Sequence, residues 1–566
     1  MHDKPPEDNI SQAEALVQNK IIEMVVKIFE PYGNDLIEEH IREVLQIICA
    51  ADATFLRGTS QADNFLSFAD IEELVQEEMR CLYDASLRRL FNGMKRMVGE
   101  DSIVLKKKSE LKENGIRVKR WRYYKNSIVT LSGRVFYERI ALKASSIKDR
   151  TALKSLGYKG HVYPVDEMLG INSLPFDMTI AAMLKTTKEA CIANSYEKAQ
   201  IRLMESGINI NDDTIRAVIN TVGGLVLDNE IKAANEAVLK FEKGLWQFPV
   251  NKKSGVLYFQ IDGSMVHTRN AKETKENCKS ETTEEPQLSS GLTILNQDTP
   301  VKKSSWRENK LGMAYSDDNI FWWTDKHGDK QRRILQKDYV SYIGEASFFS
   351  KLMLSLAVRN GYGHYQDTVL ISDGATWIRE LKNMYFPDAQ QILDFWHLCE
   401  NVSNFSKTVF AMDESKYKPW SSEICSLLKK SQTNEAIKKI KNLGSKRLSK
   451  SSFDLVQYIE NNINNVDYVA YQAKGYFIGS GAIEGSNKSV VQSRMKLSGM
   501  RWDLEAAQKM ICLLTKLNSG RWEEDVVKVV YQHYDITPGK QYNLRFSEKE
   551  EGLEAPCTGE HNIVSI

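Results

Sequence analysis

Two apolar runs constrain this chain more than any other feature: GVLYFQID, closing on Asp262, and DTVLISD, closing on Asp373. Each is short, rich in β-branched and aromatic residues and bounded by polar or Gly residues, the make-up of a strand buried on both faces. Such strands belong to sheets covered by helices. Helix-patterned segments such as ASFFSKLMLSLAVRN lie between them, so the chain from residue 255 onward reads as α/β. Central strands of such a sheet carry the residues just past their ends to a common edge, where acids from neighbouring strands come close together.

The chain of 566 residues exceeds one core and predicts roughly three or four domains. No apolar run approaches the ~18 residues of a membrane span, and the start, MHDKPPEDN, lacks the layout of a signal peptide. A cytoplasmic protein with no membrane partner is expected. Its eight cysteines are scattered with no C-x-x-C, which argues against a zinc ribbon and against a disulfide framework. The net charge of +1 hides two basic blocks. Residues 106–125 carry nine basic against two acidic residues, with Trp121, Tyr123 and Tyr124 among them, and residues 429–450 carry eight against one. Cations interleaved with rings suit a polyanion, and Lys119, Arg120 and Arg122 become candidate DNA contacts. A solvated face is the plainer alternative.

Periodicity gives helices over residues 11–98, β structure over 116–142 around a Ser-Gly turn, and helices again over 173–225. In the last stretch a helix from about Tyr196 to Glu205 meets a Ser-Gly break. Asn211 or Asp212 then caps a second helix through about Thr221. This is a helix-turn-helix pattern whose second helix would offer Thr214 and Arg216 to a major groove, though many such pairs only pack. After Asp262 come a polar loop, two strands in SWRENKLGMAYSDDNIFWWTD around an Asp-Asn turn, and a further strand in RRILQKDYVSYIG.

A third acid, Glu484, lies in IGSGAIEGSNKSVVQSRMKLSGMRW, residues 478–502. Singly, Asp262 reads as a turn residue, Asp373 as a helix cap and Glu484 as a favourable charge at a helix start. Together they make the all-oxygen ligand set that Mg²⁺ or Mn²⁺ selects. A pair of such ions about 4 Å apart supports in-line attack on a phosphodiester. Along the same helix Asn487, Lys488, Arg494 and Lys496 put donors where a DNA backbone would run. Gly479, Ser480 and Gly481 permit close approach, and Trp502 could stack on an unpaired base.

The order strand Asp262, strand Asp373, long helical stretch, helical Glu484 resembles the RNase H-like DDE transposases. GSGAIEGSNKSVVQSRMKLSGMRW, YFQIDGSMVHTR and WRENKLG are similar to the ISKra and ISLre groups of bacterial insertion-sequence transposases, over roughly residues 160–525. The resemblance implies strand cleavage and transfer with two Mg²⁺ (or Mn²⁺) ions per active site, held by Asp262, Asp373 and Glu484. It also implies contacts to DNA from His397, in a DFWH element, and from Arg494, Arg501 and Trp502. The partners it implies are double-stranded DNA (inverted-repeat ends and target) and other copies of the chain when bound to DNA, in the bacterial nucleoid. The cysteine-rich element common in these groups is missing, so no structural zinc is expected.

The expected fold class is α/β multidomain, an RNase H-like catalytic core interrupted by a helical insertion and preceded by helical and helix-turn-helix DNA-binding regions. The divisions are 1–98 helical, 99–165 basic and β-containing, 166–245 helix-turn-helix, and 246–410 the first part of the core. They continue with 411–470 the insertion, 471–528 the Glu-bearing part and 529–566 the C-terminal tail, expected to be disordered after about Thr537. An inactive or domesticated DNA-binding protein, or a stand-alone metal nuclease of the same core, are the alternatives.

Overall fold

The run that ends at Asp262 is part of a longer strand, and the rest of the fold is arranged around it. In the computed structural model, residues 34–535 are described apart from 61–67, 98–99, 159, 169, 247, 270–303, 444–450 and 452. The polar loop after Asp262, the first helical residues, part of the second basic block and most of the tail therefore lie outside the described residues.

Helices α1 (Asn34–Ser60), α2 (Phe68–Met97) and α3 (Glu100–Glu113) lead into a hairpin of β1 (Val118–Thr130) and β2 (Gly133–Ala144). The Ser-Gly turn sits where the sequence predicts it, and β3 (His161–Val162) completes a three-stranded antiparallel sheet. Helices α4 (Ile147–Ser155) and α5 (Pro164–Met168) pack beside β2. Then come α6 (Ile180–Ile192), α7 (Tyr196–Glu205) and α8 (Asp212–Glu242).

Asn211 caps α8, its side chain accepting from Thr214 N at 2.9 Å. The helix does not stop near Thr221, however, but runs for 31 residues. Gly223 and Gly224, which resemble a terminator in the sequence, are contact points. A Cβ on Gly223 would lie 2.9 Å from Lys509 Cβ, so the glycine lets another helix, α17 (Leu504–Asn518), approach the α8 backbone. Ile215, Val218, Val222 and Val226 of α8 are buried in the main core.

The central sheet is mixed, in the order β10-β9-β4-β5-β8, within a mixed α/β chain. Its strands are β4 (Lys253–Arg269), β5 (Ser304–Ser316), β8 (Asp338–Ile343), β9 (Tyr365–Ser372) and β10 (Gln390–Leu393). β4 is antiparallel to β5 and parallel to β9, and β9 is parallel to β10. Strands β6 (Ile320–Thr324) and β7 (Lys330–Ile334) pair only with each other, outside the sheet. The two strands expected around the Asp-Asn turn are thus not partners: β5 joins the main sheet and β6 does not.

Alternation along β4 sorts its side chains between two cores. Leu257, Phe259 and Ile261 face α9 (Ala346–Arg359) and α10 (Thr376–Tyr385). Tyr258 and Val266 face the larger core, which contains α8, α11 (Phe395–Val409) and α17. That core also takes in the helices of residues 411–470: α12 (Glu414–Lys429), α13 (Thr433–Lys441), α14 (Leu455–Asn461) and α15 (Tyr468–Ala473). Regions that the sequence divides into separate units thus share one core. α16 (Gly481–Ser486) passes into a π-helical turn, Asn487–Gln492, and β11 (Trp502–Asp503) pairs with the far end of β4. The last helix, α18 (Lys528–His533), buries Val530 in the same core, so the tail begins later than residue 529.

Candidate active site

Strand register brings the acids together. The last parallel partners of β4 and β9 are Gln260 and Ile371, so Asp262 and Asp373, each two residues further on, come level. Leu393 of β10 partners Ser372, which sets Asp394 level with Asp373. Alternation turns all three toward the larger core, since Tyr258, Ile371 and Ile392 on the same side point there. β4 does not end at Asp262. It continues beside β5 with Asp262 opposite Leu311, and only its parallel neighbour stops. Asp262 is therefore held in regular strand rather than in a turn.

Asp262 is hydrogen-bonded through both carboxylate oxygens. One carboxylate oxygen accepts from Gly263 N at 2.8 Å and the other from Asn487 Nδ2 at 2.6 Å. Burial pushes its pKa above the ordinary carboxylate range, the two hydrogen bonds work the other way, and the Asp373 charge raises it further while His397 lowers it. Asp373 and His397 thus both lie within electrostatic reach of Asp262. Asp373 itself is braced from two sides: its carboxylate accepts from Ala375 N at 3.0 Å, and Tyr458 of α14 donates to its carbonyl at 2.6 Å. It does not cap α10, whose N-cap is Ala375.

Glu484 comes from α16, which crosses the same edge: Ile483 N donates to Gln260 Oε1 at 3.1 Å, two residues before Asp262. The helix reaches the cluster through Ser480. The buried Ser480 hydroxyl lies 3.2 Å from Glu484 Oε1 and is also bonded to Asp394 Oδ2. The other oxygen of Asp394 accepts from Trp396 N at 2.8 Å, capping α11. Gly479 permits this approach, because a Cβ there would sit 2.6 Å from the Trp396 ring. The sequence reading names Asp394 only as the first residue of the DFWH element, not as an acid of the cluster; a third apolar run, QQIL, ends in it as the other two end in Asp.

The remaining candidates divide. Lys488, Lys496 and Arg501 are exposed, and His397 is half-buried at the start of α11. Arg494 and Trp502 are not at a DNA surface: they are 2% and 7% exposed. Arg494 Nε donates to Ala190 O at 3.1 Å, and its guanidinium lies over the rings of Tyr196 and Trp502 at 4.8 and 5.1 Å. The Trp502 indole donates to Met495 O. The pair joins the Glu-bearing segment to α6 and α7 instead of stacking on a base. The expected single face through Glu484, Lys488 and Val491 also splits, because Val491 is buried and Lys488 exposed along the π turn.

On α8, Thr214 is half-buried and the exposed Arg216 pairs with Asp212 and Asp213 of its own helix. On β1, Lys119, Arg120 and Arg122 are exposed, Arg122 lying 4.4 Å over the Tyr124 ring. The six described cysteines form no disulfide. No helix among the described residues is long and apolar enough to cross a membrane.

Whether these acids fit hard cations can be tested on Asp262. A partly desolvated carboxylate with the Asp373 charge acting on it is one that a bound cation would stabilise in its ionised form. Among the described residues no three His, Cys, Asp or Glu side chains close around a single ion. Asp262, Asp373 and Glu484 offer oxygen donors alone, the type taken by Mg²⁺, which is commonly held by one or two carboxylates with waters and substrate phosphates. The donor set fits.

Compared with models of known protein families, the chain matches none. No curated protein matches it either.

Proposed function

We propose that the chain is a DNA transposase, an RNase H-like enzyme that cleaves and joins DNA strands at the ends of its own mobile element. The observation that carries this reading is the level placement of Asp262 and Asp373 at the ends of adjacent parallel pairings, with the Glu484 helix laid across them. Three antiparallel strands, β4, β5 and β8, extended on one side by the parallel β9 and β10, support an RNase H-like core. The α7–α8 pair and the exposed cations of β1 support helix-turn-helix and basic DNA-binding regions.

Asp262, Asp373 and Glu484 would hold Mg²⁺ or Mn²⁺, which when bound supplies Lewis-acid activation of the attacking and leaving oxygens. Asn487 fixes the Asp262 carboxylate in one orientation. Ser480 and Asp394 steer Glu484 toward the strand ends. His397, within electrostatic reach of Asp262, and Lys488, one turn past Glu484, can bond phosphate oxygens near the acids. Lys496 and Arg501 lie toward the far end of β4, where a duplex running past the site would meet them.

The reading is tested by incubating the protein with duplexes that carry the element ends and with Mg²⁺. Strand-joined products are expected. Nicks without joining would make it a nuclease, and binding without cleavage an inactive DNA-binding protein.

A further inference from the structure

The β6–β7 ribbon carries three consecutive exposed aromatic residues outside any core, Phe321, Trp322 and Trp323, at 54%, 52% and 41% exposure. A two-stranded ribbon is marginal by itself. This one is held at its base, where Ile320 and Ile334 pack on the main core and Leu335 N donates to Asn319 O at 2.8 Å. Arg332 adds a second anchor, its guanidinium 3.8 Å over the Phe477 ring, which in turn stacks 4.9 Å from Tyr258. The Trp322 ring lies 5.6 Å from the same guanidinium, and the anchoring needs neither Phe321 nor Trp323. Phe321 and Trp323 are stacked on one face with centroids 6.0 Å apart and planes 22° from parallel. Register sets Arg333 opposite Phe321 and Gln331 opposite Trp323 on that face, while Lys330, opposite Thr324, lies on the other.

We infer that this ribbon is a platform for an unpaired DNA strand, with bases laid against Phe321 and Trp323 and phosphate against Arg333. The charge selects the partner: β7, KQRRI, has three cations and no acid. Asp325 in the turn is already engaged by His327 N, Asp329 N and Gln331 Nε2 at 2.9, 3.0 and 2.9 Å. Flat rings beside cations recognise the faces of bases, which a duplex hides within its stack. A protein partner for a stacked aromatic pair would not require the cation beside it.

The position suits a strand that has left the carboxylates. Tyr258, against which the anchor stacks, lies four residues before Asp262 on β4, a rise of roughly 13 Å. Phe477 lies three residues before Ser480, in the segment that leads into the Glu484 helix. A strand opened at the acids is thus within a short reach of the ribbon. The inference deepens the transposase reading by naming single-stranded DNA as a bound species, but the platform itself needs no metal and no chemistry.

The test uses the full-length protein in EDTA, so that binding is read without cleavage, with a 20-nucleotide oligo-dT strand and a 20-base-pair duplex as probes. Both rings are exposed, so replacing them leaves the core intact. Trp323→Ala and Phe321→Ala should each weaken strand binding about fivefold or more, with duplex binding changed less than about twofold. Arg333→Ala should lower the salt slope of strand binding by about 0.7. Unchanged strand binding in both ring variants would overturn the proposal. So would equal losses on strand and duplex, the sign of a phosphate surface only. Loss of self-association in sedimentation with DNA binding intact would make the ribbon a contact between copies and would equally overturn it. Failure of cleavage in the earlier assay would leave these outcomes untouched.

Discussion

Asp262→Asn is expected to lower the rate of DNA cleavage and joining by at least about a thousandfold, roughly 4 kcal/mol of transition-state stabilisation. DNA binding should stay within a small factor of the parent, and the fold should become more stable at neutral pH. The last expectation follows from the raised pKa of this carboxyl, caused first by burial. A carboxyl whose pKa is higher folded than unfolded favours the folded state fully below its unfolded pKa, and that advantage is lost as pH rises through the folded pKa. At neutral pH the ionised Asp262 therefore opposes folding, and an amide removes the charge. The amide fits, because Asn487 Oδ1 is buried without a hydrogen-bond partner and Asn487 can turn to accept from it. Gel-based cleavage assays and thermal melts check both halves. Full activity in the variant would remove Asp262 from the site. A large drop in melting temperature would mean that the carboxylate serves stability.

Arg359→Ala is expected to destabilise the protein by about 3–5 kcal/mol, read as a fall in the urea midpoint. Asp338, at the start of β8, is 7% exposed and is gripped by Arg359 Nε at 2.5 Å and Nη2 at 3.0 Å, with Asn360 Nδ2 at 2.8 Å. Burial acts to raise the Asp338 pKa, but the Arg359 guanidinium outweighs it and holds the carboxyl at about 2. Because this folded pKa is depressed, the stabilisation is present above the unfolded value and is lost as pH falls from about 4 through 2. It amounts to about 2 kcal/mol. Removing the guanidinium leaves a buried carboxylate with Asn360 and a backbone amide as donors and the Lys516 charge, not bonded to it, nearby. Its pKa should then rise, and the loss of stability on acidification in that window should disappear. A variant within 0.5 kcal/mol of the parent, a figure ordinary for surface changes, would show that the pair is dispensable.

The two predictions bear on different levels of the sequence. The strand acids were legible because short β-branched runs closing on Asp leave few other readings, and the Ser-Gly hairpin and the Asn211 cap were legible for similarly local reasons. What failed needed contacts between distant segments. Gly223 and Gly224 look like a helix end until Lys509 is laid against them. Arg494 and Trp502 look like a DNA face until Tyr196 is packed against them. Asp394 looks like a helix cap, which it is, and nothing local reveals that β10 brings it level with Asp373 or that Ser480 ties it to Glu484. The π turn after Ser486 shifts the phase of the helix, so Lys488 and Val491 part company although their spacing suggests one face.

The central claim is that Asp262, Asp373 and Glu484 form a hard-cation site that substrate phosphate completes. Mn²⁺ binding, followed by electron paramagnetic resonance in the presence of an element-end duplex, tests it most directly. The parent chain should bind a pair of ions, and Asp262→Asn combined with Asp373→Asn should lose at least about tenfold in affinity while still holding the duplex. Equal Mn²⁺ binding by parent and variant, or no binding by the parent with DNA present, would contradict the account.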